Sequence, residues 1–257
     1  MTAIAPAPTQ LVTGSTILDF RDVAMTFPDG TTALSGVDLT VARGEFVSVV
    51  GPSGCGKSTL LRIASGLEQV SEGVMTAGTS RIGYVFQDAT LLPWRNVTAN
   101  VELLAELNGM SRGERKEKAR QAIELVGLSG FEKHLPRALS GGMRMRASLA
   151  RSLTLDPELF LFDEPFGALD EITRERLNDE LVKLYTEKQF SALFITHSVS
   201  EAVYISTRVV VMSGRPGRIV ASFDVPFPTP RDPEIRFTAE FAELVGAVSH
   251  ALRGDHS

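Results

Sequence analysis

Residues 51–61 read GPSGCGKSTLL and fit the spacing G-x-x-x-x-G-K-[ST], with Gly51, Gly56, Lys57 and Ser58 at the four fixed positions. Phosphate chemistry explains that spacing. Small residues let the backbone curl until several N–H groups face one anion. A lysine at this place reaches the β- and γ-phosphates, and the hydroxyl beside it holds Mg²⁺. The residues that would wrap a nucleoside triphosphate are Gly51, Pro52, Ser53, Gly54, Cys55, Gly56, Lys57, Ser58 and Thr59. A helix opening near Lys57 would add the positive end of its dipole. The pattern carries weight only between a strand and a helix; GEFVSVV precedes it and KSTLLRIASGL follows. The alternative is an ordinary glycine-rich turn.

A second stretch, LFLFDEP at residues 159–165, ends an apolar run in two carboxylates, Asp163 and Glu164. In an open α/β sheet the carboxyl end of a buried strand lines the ligand crevice. Asp163 would serve the magnesium shell. Glu164 would take a proton from the water that attacks the γ-phosphate. Taken alone, the pair could be a helix-capping acidic turn. A third stretch, LSGGM at residues 139–143, puts a serine and two glycines at a helix N-terminus. Ser140, Gly141 and Gly142 there would make a second anion site, or only a flexible cap.

These residues need elements to hold them. Residues 17–27 read as a strand, Pro28-Asp29-Gly30 as a turn, and residues 31–41 as a second strand leading into GEFVSVV. That is an antiparallel β layer feeding the phosphate-loop strand. EGVMTAG and RIGYVFQ read as two more strands, with Gly73 and Gly78 as punctuation. From Asp88 to Asp156 the periodicity is helical throughout: VTANVELLAELNGM, then SRGERKEKARQAIELVGL, then a long helix opening at residues 140–142. The β/α rhythm returns with ELFLFDE and SALFITH, both continuous apolar runs of the kind a parallel sheet buries. TRVVVMSG and GRIVASFDV are final strands, and EIRFTAEFAELVGAVSHALR is an amphipathic helix after a proline-rich connector. The fold class is α/β: a P-loop NTPase core with an antiparallel β layer and an inserted all-helical subdomain. The divisions are a flexible extension over residues 1–16, a core over residues 17–87 and 157–225, the helical block over residues 88–156, and a connector and helix over residues 226–257.

Composition narrows the class of function. Hydrophobic residues make up 43% and charged residues 22% of 257, as in a soluble globular chain with a full core. The net charge of −5 gives no electrostatic footprint for nucleic acid. GERKEKAR could be a basic patch, but its glutamates break the charge and it reads as a solvated helix face. The single cysteine, Cys55, excludes an internal disulfide and a cysteine metal cluster. It reads as a small residue that fits the loop, where alkylation would block nucleotide binding. No apolar run approaches the roughly 18 residues that span a bilayer, and the first residues lack the basic and apolar regions of a signal peptide. Work at a membrane would be done from its cytoplasmic side through partners.

Residues 51–59, Gln87, LSGGM, LFLFDEPFGALD and Thr196-His197 stand in the order found in ATP-binding-cassette ATPases, and the chain resembles that family over residues 17–220. The resemblance implies two copies packed head to tail, the LSGGM of one covering the ATP held by the other's phosphate loop. It implies Phe27 stacked on adenine, where the plainer reading is a strand-end core residue. It implies Gln87 as a metal contact that senses a membrane partner, His197 as a hydrogen-bond partner of the γ-phosphate, and Asp170 in the loop between the two sites. The cofactors are ATP and Mg²⁺, the metal falling to Ser58, Gln87 and Asp163, with Glu164, His197 and Lys57 catalytic. Met143 departs from the usual LSGGQ, a change expected to tune closure. LSGGMR, FQDATLLPWRNVTANV, DEPFGALDEITR and RPGRI are similar to the importer branch for nitrate, taurine and alkanesulfonates.

The resemblance therefore implies the ATPase subunit of a bacterial importer on the cytoplasmic face of the cell membrane. Its partners would be a second copy, two transmembrane permease subunits and, indirectly, an extracytoplasmic solute-binding protein. A coupling helix of each permease would dock near residues 87–101, with Leu91, Leu92, Pro93 and Trp94 as candidate contacts. Trp94 could instead fill the core. The C-terminal helix could add to dimer contacts or pack on its own core. The alternatives are a soluble ATPase of the same family acting on ribosomes or nucleic acid, and a P-loop kinase. The single cassette and absent basic excess weigh against the first, and LSGGM and ITH against the second.

Overall fold

The computed structural model describes residues 16–254. The expected flexible extension lies outside them except for Thr16, which opens the first strand. The elements in chain order are β1 (Thr16–Thr26), β2 (Thr32–Ala42), β3 (Phe46–Val50), α1 (Lys57–Ala64), β4 (Glu72–Ala77), β5 (Ile82–Val85), α2 (Val97–Val101), α3 (Leu103–Leu107), α4 (Arg112–Leu125), α5 (Gly141–Leu153), β6 (Leu159–Asp163), α6 (Glu171–Lys188), β7 (Ser191–Thr196), α7 (Val199–Ile205), β8 (Arg208–Met212), β9 (Ile219–Asp224) and α8 (Ala239–Gly254).

They form two sheets. The smaller is antiparallel, in the order β2-β1-β4; the larger has six strands, in the order β5-β6-β7-β3-β8-β9. All pairs in the larger sheet are parallel except β8 with β9. The apolar runs alternate between its faces. Phe46, Val50, Phe160, Phe162, Phe194, Val209 and Val211 face the core shared with α4 to α8. Val47, Val49, Leu159, Leu161, Leu193, Ile195 and Val210 face the core shared with α1 and the antiparallel sheet. A strand buried on both faces needs apolar residues at every position, which is why these segments lack polar alternation. Phe160, Phe162, Phe46 and Phe194 are neighbours across consecutive strands, with ring centroids 5.3–6.2 Å apart.

The helices start where the sequence supplies caps. Asn96, Ser111, Ser140, Asp170 and Ser198 each accept a bond from the backbone N–H of the residue three further on. Three boundaries differ from the sequence expectation. Gly73 lies inside β4, with φ at +79°, and a Cβ there would stand 2.2 Å from the Asp22 carbonyl oxygen; it is a close approach of two strands rather than punctuation. The stretch 97–110 is two short helices meeting at Glu102, and helix begins only at Val97, after an irregular segment. The last helix starts at Ala239, because Thr238 Oγ1 accepts from Phe241 N at 3.3 Å, and a 3-10 turn (Pro233–Phe237) precedes it. Phe241 and Val248 anchor α8 in its own chain's core.

Candidate functional site

The carboxyl ends of β3, β6 and β7 bring the site together. β7 lies between the other two strands. The loop after β3 therefore faces the carboxylates after β6, and His197 emerges between them. Gly56 precedes α1 in the left-handed region at φ +107°, and a Cβ on it would lie 2.7 Å from the Ala33 carbonyl oxygen. Only glycine meets both conditions, which accounts for one fixed position of the motif. The Lys57 ammonium, buried at the first turn of α1, donates to the Gly51 and Pro52 carbonyls at 2.9 and 3.0 Å. It lies 3.8 Å from Glu164 Oε1.

Ser58 Oγ donates to Asp163 Oδ1 at 2.8 Å, and the Tyr84 hydroxyl reaches the other Asp163 oxygen at 3.4 Å. Burial pushes the Asp163 carboxyl up from its ordinary range, with the Ser58 bond pulling the other way. A desolvated carboxylate that touches only neutral hydroxyls is suited to a divalent cation, and a Mg²⁺ site takes few protein groups beside phosphate and water. Among the described residues no cluster of three acidic, histidine or cysteine ligands exists, here or elsewhere. Burial likewise raises the Tyr84 hydroxyl, with Asp163 adding to the rise.

Glu164 follows with φ at +45°, a conformation uncommon for any residue but glycine. Its N–H donates to Ile195 O at 3.0 Å, so the neighbouring strand fixes its backbone. Its carboxylate lies 3.1 Å from His197 Nδ1. Lys57, Glu164 and His197 thus form one chain of contacts, with His197 the more exposed end at 52%.

Of the other expected residues, Ser140, Asp170 and Gln87 make no hydrogen bond to this cluster among the described residues. Ser140 caps α5 by accepting from Met143 N at 3.2 Å. Cβ atoms on Gly141 and Gly142 would each stand 3.0 Å from side-chain carbons of Leu169 and Thr173. The signature turn therefore packs against the start of α6, where Asp170 accepts from Thr173 N at 2.9 Å. That bond lowers the Asp170 carboxyl. Gln87 is exposed just beyond β5, and its side chain makes no hydrogen bond among the described residues. Phe27 is half-buried against the antiparallel sheet's core. Trp94 is 74% exposed, so it fills no core. Cys55 has 0% exposure and burial raises its thiol, so alkylation of the folded loop is not available to it.

Two supports of the site went unread in the sequence. Arg215 Nε donates to Gly54 O at 3.0 Å, and a Cβ on Gly217 would stand 2.1 Å from Cys55 O. The RPGRI turn is thus the floor of the phosphate loop. Thr196 Oγ1 is held by the buried Glu201 carboxylate and accepts from Ser198 N at 3.0 Å, which fixes the backbone on both sides of His197. The S-x-x-E spacing of Ser198 and Glu201 was the available signal.

With that geometry described, likeness to known proteins adds one decisive observation: the ABC transporter family pattern matches residues 34–167. The chain belongs to the ABC transporter family. This ABC protein is 46% identical over 205 residues to the aliphatic sulfonates import ATP-binding protein SsuB 1 of Pseudomonas syringae, covering 79% of this chain and 84% of that one. It is 46% identical over 231 residues to an uncharacterized ABC transporter ATP-binding protein of Methanocaldococcus jannaschii, covering 87% and 85%. The dimeric post-hydrolysis structure of the ATP-binding cassette MJ0796 bound to ADP and Pi superposes with a TM-score of 0.72 at 31% identity, covering 82% of this chain and all of that one. The ABC chain is an ATPase whose hydrolysis of ATP to ADP and phosphate is coupled to transport. Among the described residues no helix is long and apolar enough to cross a membrane.

Proposed function

We propose that this chain is the ATPase subunit of an importer for small organic or inorganic anions of the sulfonate, taurine or nitrate kind, acting as a head-to-tail homodimer. The observation that carries the reading is the split between the two anion-binding elements. Lys57, Ser58, Asp163, Glu164 and His197 form one cluster, while Ser140 to Gly142 pack against Leu169 and Thr173 instead. A second copy would supply the missing cover. The likeness to an aliphatic sulfonate import protein supports the anion class.

In this reading Gly51 to Thr59 and Lys57 bind the triphosphate, Phe27 stacks on adenine, and Ser58, Asp163 and Gln87 would hold Mg²⁺. The cation would supply charge neutralisation between the β- and γ-phosphates. Glu164 Oε2 takes the proton of the attacking water, and His197, 3.1 Å away, orients that carboxylate and reaches the γ-phosphate. The Lys57 ammonium lies 3.8 Å from the other oxygen of that carboxylate. Ser140 to Gly142 of the partner close over the phosphate, and Asp170 carries closure between the sites. Two permease subunits dock near Leu91 to Trp94 on the cytoplasmic face of the membrane, and an extracytoplasmic binding protein delivers the solute.

The test is Glu164→Gln with ATP and Mg²⁺. Binding retained, hydrolysis lost about 10²- to 10⁴-fold and a dimer trapped on size exclusion are expected. Hydrolysis at the normal rate would exclude Glu164 as the base, and a monomer at saturating ATP would exclude the sandwich. Uptake by a deletion strain across sulfonates, taurine and nitrate then assigns the solute.

A further inference from the structure

The helix that carries the signature turn also holds the loop that follows Gln87. Arg151, in the last turn of α5, is buried at 6% exposure and has no ion pair among the described residues. Its guanidinium donates to the Thr90 carbonyl at 2.9 Å, the Ala89 carbonyl at 3.2 Å, the Thr90 hydroxyl at 2.9 Å and Ser148 Oγ at 3.2 Å. Three of those four acceptors belong to residues 89 and 90. A buried cation without a counterion is costly unless its donors are met, and here backbone dipoles of one loop meet them.

The loop is held hard. Thr90 sits at φ +46°, where a β-branched residue is rarely found. Next to Arg151, Ser152 Oγ donates to Tyr84 O at 3.0 Å, so the same turn of α5 also grips the end of β5. On the loop's far side the buried Asn100 amide donates to the Leu92, Arg95 and Asn96 carbonyls and accepts from Leu92 N. Gln87 lies between the grip at Tyr84 and the grip at Ala89, with its own side chain unbonded among the described residues.

We propose that Arg151 is a positioning residue that binds the loop after Gln87 to the signature helix, so that a displacement of that loop tilts α5 and moves Ser140 at its other end. The 13 residues of α5 span about 20 Å. The guanidinium fork is suited to this role because it holds two carbonyls and a hydroxyl in fixed relative positions, which an ammonium cannot do. The proposal rests on the reading of Gln87 as a group that serves ATP hydrolysis.

The chain carries its own reporter. Trp94 is its only tryptophan and is exposed in the held loop. Arg151→Lys and Arg151→Gln, in the full chain, should lower Trp94 fluorescence anisotropy and make the indole easier to quench with acrylamide. Affinity for a fluorescent ATP analogue should stay within about 2-fold, while kcat falls about 10- to 100-fold with KM little changed. Thr90→Gly, which loosens the loop without touching the core of α5, should move Trp94 the same way and keeps the test open should the Arg151 variants fail to fold. Trp94 signals unchanged in all soluble variants, or signals changed with kcat intact, would overturn the proposal. Gln87→Ala separates the two ideas. Normal hydrolysis in that variant sinks the reading of Gln87, whereas the Trp94 signals alone decide whether Arg151 holds the loop.

Discussion

Lys57 and Glu164 sit 3.8 Å apart, and the proposed function gives each a different part of the reaction. Removing the ammonium by Lys57→Ala should weaken ATP binding by about 10- to 100-fold, the value of a charge-assisted bond to phosphate; isothermal titration checks it, and unchanged affinity would remove the lysine from the phosphate site. Glu201 gives a prediction about pH. Burial raises its carboxyl above the ordinary range. A group raised on folding contributes its full share of stability below its unfolded pKa and loses it as pH rises through the folded value. Glu201→Gln keeps an acceptor for Thr196 without the charge. Its melting temperature relative to the unaltered chain should therefore climb as pH is raised from the acid side of the carboxylate range towards neutrality, and a difference that stays flat across that span would place the proton elsewhere.

At the scale of elements, the strands were readable because burial on both faces leaves only apolar residues, as in LFLF and SALFIT. Of the caps only the helix opening at Ser140 was read; those at Asn96, Ser111, Asp170 and Ser198 were not, although Ser, Asp and Asn do the same local job at each. The joints were not. Arg215 and Gly54 are 161 residues apart, and Arg151 and Thr90 are 61 apart; neither pairing leaves a periodicity or a spacing that a single sequence displays. RPGRI was noticed only as a likeness, although its glycine lets the turn pack directly against the Cys55 carbonyl of the phosphate loop. Gly217→Ala would drive a methyl group into Cys55 O and should cost about 1–3 kcal/mol, seen as a lowered melting temperature together with weaker ATP binding. A fall in stability with nucleotide affinity untouched would mean that the turn supports the sheet and not the loop.

At the scale of the molecule, local motifs told most about the half-site on each chain and least about how halves meet. Gly51 to Ser58, Asp163 and Glu164 could be placed because each lies at a strand end whose position the fold dictates. The roles of Phe27, Gln87 and Met143 depend on groups that no single chain supplies. Ser140→Arg tests assembly. The variant should bind ATP with near-normal affinity as a monomer and hydrolyse it at least about 100-fold more slowly, measured by light scattering beside phosphate release; full activity would remove the need for a partner's signature. One further consequence comes from the burial of Cys55. With 0% exposure in a chain that has a single thiol, a maleimide finds nothing to modify until the loop or the whole domain opens. The rate of labelling is then a clock for that opening, and nucleotide bound to the closed form should slow it by mass action. A cysteine placed anywhere on the surface would take the dye alone, so the unaltered loop already makes this chain fit for distance measurements between subunits.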